Sequence, residues 1–173
     1  MQVFYYNTLF KNIEILLNKF HCVFDVKKQS EYLISYIEKT LQDNKLKYND
    51  IDFFSTISGP GNFTSIKTNL AVAKAIRVAS NKNIICSNLF DIIGFNKKYD
   101  YIVVEANPCK YYVKSKNGEY FITKNIDELS GEILSKFDNK DWIKLTEHKI
   151  KNNILNEFDA FYMENASIGS GAK

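Results

Sequence analysis

The chain has 173 residues, 45% hydrophobic and 25% charged, enough for one domain, or one and a small lobe, with a core and a soluble surface. Its formal net charge of +3 is too mild for a nucleic-acid footprint, which needs basic residues gathered on one face. Cys22, Cys86 and Cys109 are odd in number and lack C-x-x-C spacing, which argues for a reducing compartment and against a disulfide scaffold or zinc knuckle.

In chain order, Gln2 to Tyr6 is an aromatic and β-branched run that predicts a strand. It is too short and too quickly polar for a signal peptide, and no apolar run approaches the roughly 20 residues of a membrane helix. A cytoplasmic chain with no membrane partner is expected. Ile13 to Leu17 and Phe20 to Val26 are strands with Asn18-Lys19 as a hairpin turn. Lys27 to Lys45 carries Leu33, Ile37 and Leu41 at i+4 spacing, the stripe of an amphipathic helix. Asn49-Asp50 breaks the chain, and Ile51 to Ile57 is a fourth strand. Phe63 to Ser80 predicts a second long helix with Asn62 as N-cap. Ile84 to Cys86 is a short strand and Leu89 to Phe95 a short helix. Tyr101 to Glu105, Tyr111 to Lys114 and Tyr120 to Thr123 are strands, with Asn117-Gly118 as a hairpin turn. Helices are expected at Ile126 to Phe137 and Thr146 to Phe158, around a short strand at Trp142 to Leu145. Ile168 to Lys173 is expected to fray.

The loop Gly59, Pro60, Gly61, Asn62 opens the second long helix. Helix N-termini hold anions well, but the phosphate motifs are absent. Gly61 is followed by Asn62-Phe63 rather than Lys-Ser/Thr, and no third glycine stands at Thr64. Taken alone, the loop reads as a tight strand-to-helix turn. The helix is more informative. Its charges are Lys67, Lys74 and Arg77, which fall on one stripe at about 100° per residue. The rest is apolar or small, so a second cover is expected, from the same chain or from a partner.

The run Ser58-Gly59-Pro60-Gly61-Asn62-Phe63-Thr64-Ser65-Ile66-Lys67 resembles the signature of the TsaB (YeaZ-type) family, S-G-P-G-S-F-T-G-L-R, and Leu70, Ala73 and Lys74 continue the match. Asn7-Thr8 stands where that family has Asp-Thr, and Gln29-Ser30-Glu31-Tyr32-Leu33 resembles its H-S-E-x-L. Beyond about residue 95 the match thins. Asn107 and Lys110 replace an Arg and a Glu of the family, and the second lobe is shorter.

The resemblance implies an α/β chain of actin/Hsp70-like (ASKHA) fold with a mixed sheet. It is divided as a first lobe at 1–95, a reduced second lobe at 96–167 and a tail at 168–173. It also implies a non-catalytic subunit of the tRNA threonylcarbamoyladenosine complex, bound to a TsaD-like catalytic subunit with a TsaE-like ATPase. Contact with tRNA is indirect or weak, and the chain is a homodimer when alone. On this reading Phe63, Thr64, Ile66, Lys67, Leu70, Ala73 and Lys74 form the partner interface, and Glu at Leu70 or Ala73 is expected to break it.

Two rival readings stand beside it: an enzyme, a degenerate ASKHA phosphotransferase, and a paralogue outside the tRNA pathway that homodimerises through the same helix. ASKHA phosphotransferases hold Mg²⁺ near a carboxylate in the first hairpin, where this chain has Asn7, a turn residue and a poor ligand for a hard cation. TsaD paralogues hold a metal with paired histidines. Here His21 and His148 lie far apart and Gln29 replaces a family His, so neither a metal site, a cofactor nor a catalytic residue is expected. The three Cys read as packed strand residues, and Lys144, His148, Lys149 and Lys151 as the solvated face of a late helix.

Overall fold

The computed structural model describes residues 1–10 and 12–163. The expected tail at 168–173 and the end of the second lobe from 164 lie outside them. Strands β1 (Val3–Asn7), β2 (Ile13–Leu17) and β3 (Phe20–Phe24) form an antiparallel meander. Helix α1 (Gln29–Asp43), a 3₁₀ turn at Tyr48–Asp50, β4 (Phe53–Gly59), α2 (Phe63–Ser80) and β5 (Asn83–Asn88) follow. The sheet runs β3-β2-β1-β4-β5, with β1, β4 and β5 parallel.

Both faces of this sheet are covered. Phe4, Tyr6, Phe54, Ile84 and Cys86 pack with Leu33, Ile37, Ile66, Leu70 and Ala73 of α1 and α2. Val3, Tyr5 and Ile57 point the other way, toward Phe90 and Ile93 of α3 (Leu89–Gly94) and Trp142 of α4 (Asn139–Lys151). Two-sided burial is why β1 is apolar without alternation.

The second sheet contains β6 (Tyr101–Asn107), β7 (Lys110–Ser115), β8 (Tyr120–Thr123) and β9 (Ile133–Leu134), in the order β8-β7-β6-β9. Gly118, at φ 86°, makes the turn from β7 to β8, where Asn117-Gly118 was expected to do so.

The late helices fall differently from their sequence reading. Ile126 to Phe137 is not a helix. Its chain turns at Asn125, whose side chain accepts from Asp127 N at 3.0 Å, passes Gly131 at φ 122°, and adds β9 alongside β6. Trp142 to Leu145 is not a strand but the first half of α4, capped by Asp138. Its buried Trp142, Leu145 and Thr146 recur at i+3 and i+4. The helix ends at Lys151 rather than Phe158, because Asn153 and Asn156 take left-handed φ values of 56° and 61°. Residues 154–163 form an extended strap that returns to the first sheet. Asn156 N donates to Ile84 O at 2.8 Å, and Phe161 N donates to Ser58 O at 2.9 Å.

Candidate functional site

Open sheets of this kind take ligands in the crevice beyond the carboxyl ends of their parallel strands. Here those ends are Asn7, Gly59 and Asn88, and the chain's own side chains narrow the space to cavities of about 220 Å³ beside Thr8, Thr64 and Ser65 and about 210 Å³ between Ser58, Asn88 and Phe161. Asn7, Thr8 and Asn69 are all fully buried. The Asn69 Nδ2 group donates to Ile57 O at 3.1 Å and to Asn7 Oδ1 at 3.3 Å. Thr8 Oγ1 donates to Asn69 Oδ1 at 2.9 Å, and Asn7 Oδ1 also accepts from Leu9 N at 3.0 Å. The Tyr6 hydroxyl donates to Asn69 O at 3.1 Å, and burial pushes its pKa well above the usual phenol value. The residue at the hairpin position is thus tied into a neutral network joining β1, β4 and α2.

Asn69 was not singled out in the sequence. Its signal was available: it is the one polar member of the buried face of α2, otherwise Ile66, Leu70, Val72, Ala73 and Ile76. Asn69→Ala leaves three buried groups short of a partner and should cost about 2–3 kcal/mol, read as a lowered urea midpoint. An unchanged midpoint would refute the network's role in stability.

The glycine loop is closed over by the strap. Gly59 has φ 121°, and a Cβ there would strike the Phe161 carbonyl oxygen. A Cβ on Gly61 would come within 2.8 Å of Leu9 Cδ2. Asn62 caps α2, its Oδ1 accepting from Thr64 N and Ser65 N at 2.9 and 3.3 Å. Pro60 follows Gly59 through a cis bond. At Gly59 and Gly61 the loop's role is therefore close packing.

Cys86 lies under the strap beside Lys149, whose Nζ donates to the Cys86 carbonyl at 2.7 Å. Burial pushes the Cys86 thiol up to about 12, and Lys149 offsets this only in part. The folded chain therefore holds the Cys86 proton where the unfolded chain has lost it. This stability is complete below the unfolded thiol's pKa, near 9.0, and is lost as pH rises from there toward 12. At pH 8 iodoacetamide should label exposed Cys109 and leave Cys86 untouched, as peptide mass spectrometry would report. Equal labelling of the two would contradict this burial.

A paired-histidine metal does not fit these residues. His21 Nε2 lies 2.9 Å from Glu14 Oε1 on β2, and His148, on α4, has its ring tilted against Phe95 at 5.4 Å. Among the described residues no three His, Cys, Asp or Glu side chains converge as ligands. No helix among them is long and apolar enough to cross a membrane.

The expected interface residues separate into two sets. Ile66, Leu70 and Ala73 face the chain's own core, at 0%, 6% and 0% exposure, so these three present no surface to a partner. That corrects their assignment: the apolar girth of α2 is covered on that side by its own sheet. Phe63, Thr64, Lys67 and Lys74 are exposed. Lys67 Nζ sits 4.1 Å over the Phe63 ring, whose other neighbour is Tyr162 at 5.2 Å. The outer face of α2 continues through Ala71, Ala75, Val78 and Ala79, with Val78 86% exposed. Beside it a groove of about 450 Å³ runs between α1 and α2, lined by Ile34, Tyr48, Val72, Ala75, Ile76 and Ala79. The sequence pattern marked α2 as over-apolar. It did not separate the inward from the outward stripe, because small residues stand on both.

Solved structures share this fold, two of them of YeaZ type. YeaZ from Pseudomonas aeruginosa matches with a TM-score of 0.72 at 10% identity, over 94% of this chain and 100% of that one. A structure described as an uncharacterized protein with similarity to peptidase YEAZ from Pseudomonas aeruginosa matches with a TM-score of 0.65 at 10% identity, over 95% and 98% of the two chains. The fold is the actin-like fold of YeaZ, as the TsaB resemblance led one to expect. In sequence, the chain is 25% identical over 120 residues to the tRNA N6-adenosine threonylcarbamoyltransferase of Erythrobacter litoralis (strain HTCC2594). That match covers 64% of this chain and 35% of the relative, so the chain spans about a third of the relative's length. Residues 26–171 match the family model described as TsaD: tRNA N6-adenosine threonylcarbamoyltransferase, and the chain belongs to that family.

Proposed function

We propose that this chain is a non-catalytic scaffold subunit in the formation of threonylcarbamoyladenosine in tRNA, and that it supports a TsaD-type catalytic subunit through the outer face of α1 and α2. The observation carrying this reading is the contrast between a crevice narrowed by the chain's own side chains and a broader, apolar helical face. The carboxyl ends of β1, β4 and β5 are crowded by the Asn7–Asn69 network and by the strap at Phe161, which leave cavities of only about 220 and 210 Å³ there, against about 450 Å³ between α1 and α2. The groove between α1 and α2 is mostly apolar, with Glu38 and Lys47 as the charged residues of its lining, the arrangement of a protein interface. Family membership and the YeaZ fold support the pathway. The complex assembles in the cytoplasm with a TsaE-like ATPase, and the chain's contact with tRNA is indirect.

The test is complementation of a TsaB-depleted cell, scored by threonylcarbamoyladenosine in total tRNA. The wild-type chain restores the nucleoside, and purified chain alone transfers no threonylcarbamoyl group. Failure to restore it would place the chain outside the pathway, and transfer by the isolated chain would make it an enzyme.

A further inference from the structure

The first sheet has two edges. At β5 the strap closes the edge, with Asn156 bonded to both Ile84 N and Ile84 O. At β3, among the described residues, no backbone hydrogen bond reaches the outer side. Between Phe20 and Phe24 there is no proline, bulge, Lys, Asp or Glu, and Val23 is 53% exposed. The usual means of blunting a free edge are missing.

The hairpin geometry says which groups face out. In a two-residue hairpin the residues flanking the turn exchange both ladder bonds, and bonded and non-bonded pairs then alternate. The pairs run Leu17 with Phe20, Leu16 with His21, Ile15 with Cys22, Glu14 with Val23 and Ile13 with Phe24. Phe20, Cys22 and Phe24 therefore bond to β2, while the N–H and C=O groups of His21 and Val23 point away from the sheet.

We infer that β3 pairs with β3 of a second copy, antiparallel, about a two-fold axis at Cys22. The occupant is a second copy because the segment complements its own reverse. With the axis at Cys22, His21 faces Val23 of the second copy and exchanges both hydrogen bonds with it. Phe20 faces Phe24, and Lys19 faces Asp25. The two-fold produces each contact twice. Lys19 and Asp25 are both exposed, and neither has an ion-pair partner among the described residues. Neighbouring registers of the same parity are worse. An axis at His21 sets the two histidines opposite each other and leaves Asp25 without Lys19. An axis at Val23 sets Lys19 against Lys27.

The same register makes Cys22 and its copy a non-bonded pair with Cα atoms about 4.5 Å apart, within reach of a disulfide. Light scattering on the full chain across a range of concentrations, in a Cys109→Ser background, tests the pairing. The expected result is a concentration-dependent dimer that mild oxidation traps through Cys22. Val23→Pro removes an outward N–H without touching the β2 ladder and should abolish the dimer while the far-ultraviolet spectrum stays unchanged. Lys19→Asp should weaken association about tenfold, and adding Asp25→Lys should restore it. A chain that is monomeric throughout with no Cys22-linked species overturns the inference. So does a dimer that survives Val23→Pro but is lost in Val78→Asp, which would put the contact on the α1–α2 face.

Discussion

Val78→Asp should leave the chain folded and abolish its binding to a TsaD-type subunit. Val78 is 86% exposed near the end of α2, so an aspartate there is solvated in the free chain and changes stability by about 0.5 kcal/mol or less. In the docked complex the same carboxylate would be taken out of water, with Lys74, one turn earlier on α2, as the nearest cation on its own helix face. An unpaired buried charge costs about 3–5 kcal/mol, a loss of at least a hundredfold in affinity. Surface plasmon resonance against the catalytic subunit measures this, with a thermal melt as the folding control. Binding at wild-type affinity would remove the α1–α2 face from the interface. The substitution that the sequence pointed to, Glu at Leu70 or Ala73, cannot make this distinction. Both positions lie in the chain's own core, so lost binding there would report an unfolded chain.

Trp142→Ala should have the largest effect on stability. The indole is fully buried between α4 and the first sheet. It meets Tyr5 edge-on at 5.2 Å and lies 6.1 Å from Phe137, and its Nε1 donates to Ser55 Oγ at 3.1 Å. Ser55 Oγ also lies 3.1 Å from Thr146 Oγ1, so removing the indole opens a cavity and takes one of two partners from a buried hydroxyl. The expected cost is about 3–5 kcal/mol, or about 10 °C in Tm for a chain of this size. Trp142→Phe keeps most of the volume and loses the donor, so its cost should be well under half as large. Equal melting temperatures for wild type and Trp142→Ala would mean that α4 does not hold the second half of the chain to the first sheet.

The first half of the fold was legible because local signals agreed there. Asn18-Lys19 stands between two apolar runs and Leu33, Ile37 and Leu41 keep a helical period, and a hairpin and a helix form in those places. Asn62 before an uncharged stretch marked the start of α2, and its side chain does cap the helix. The second half was less legible. Trp142-Ile143-Lys144-Leu145 alternates enough to resemble a strand, and only the cap at Asp138 and the burial of Thr146 give it a helical period. Ile126 to Phe137 is apolar at intervals a helix would accept, but the edge of β6 recruits part of it as β9.

The sequence by itself determined the meander, the two long helices and the glycine turn between β4 and α2, because turn and cap chemistry acts over a few residues. It also carried the resemblance that led to the family. Only the tertiary structure decided which side of α2 is available to a partner. A run of Ala, Val, Ile and Leu on a helix is the same list whether a residue meets its own sheet or water. Ile66, Leu70 and Ala73 turn inward and Ala75, Val78 and Ala79 outward because β4 and β5 lie on one side of the helix and α1 flanks it on another. The closure of the glycine loop was likewise invisible, because it depends on Phe161, about a hundred residues further along the chain, returning to Ser58.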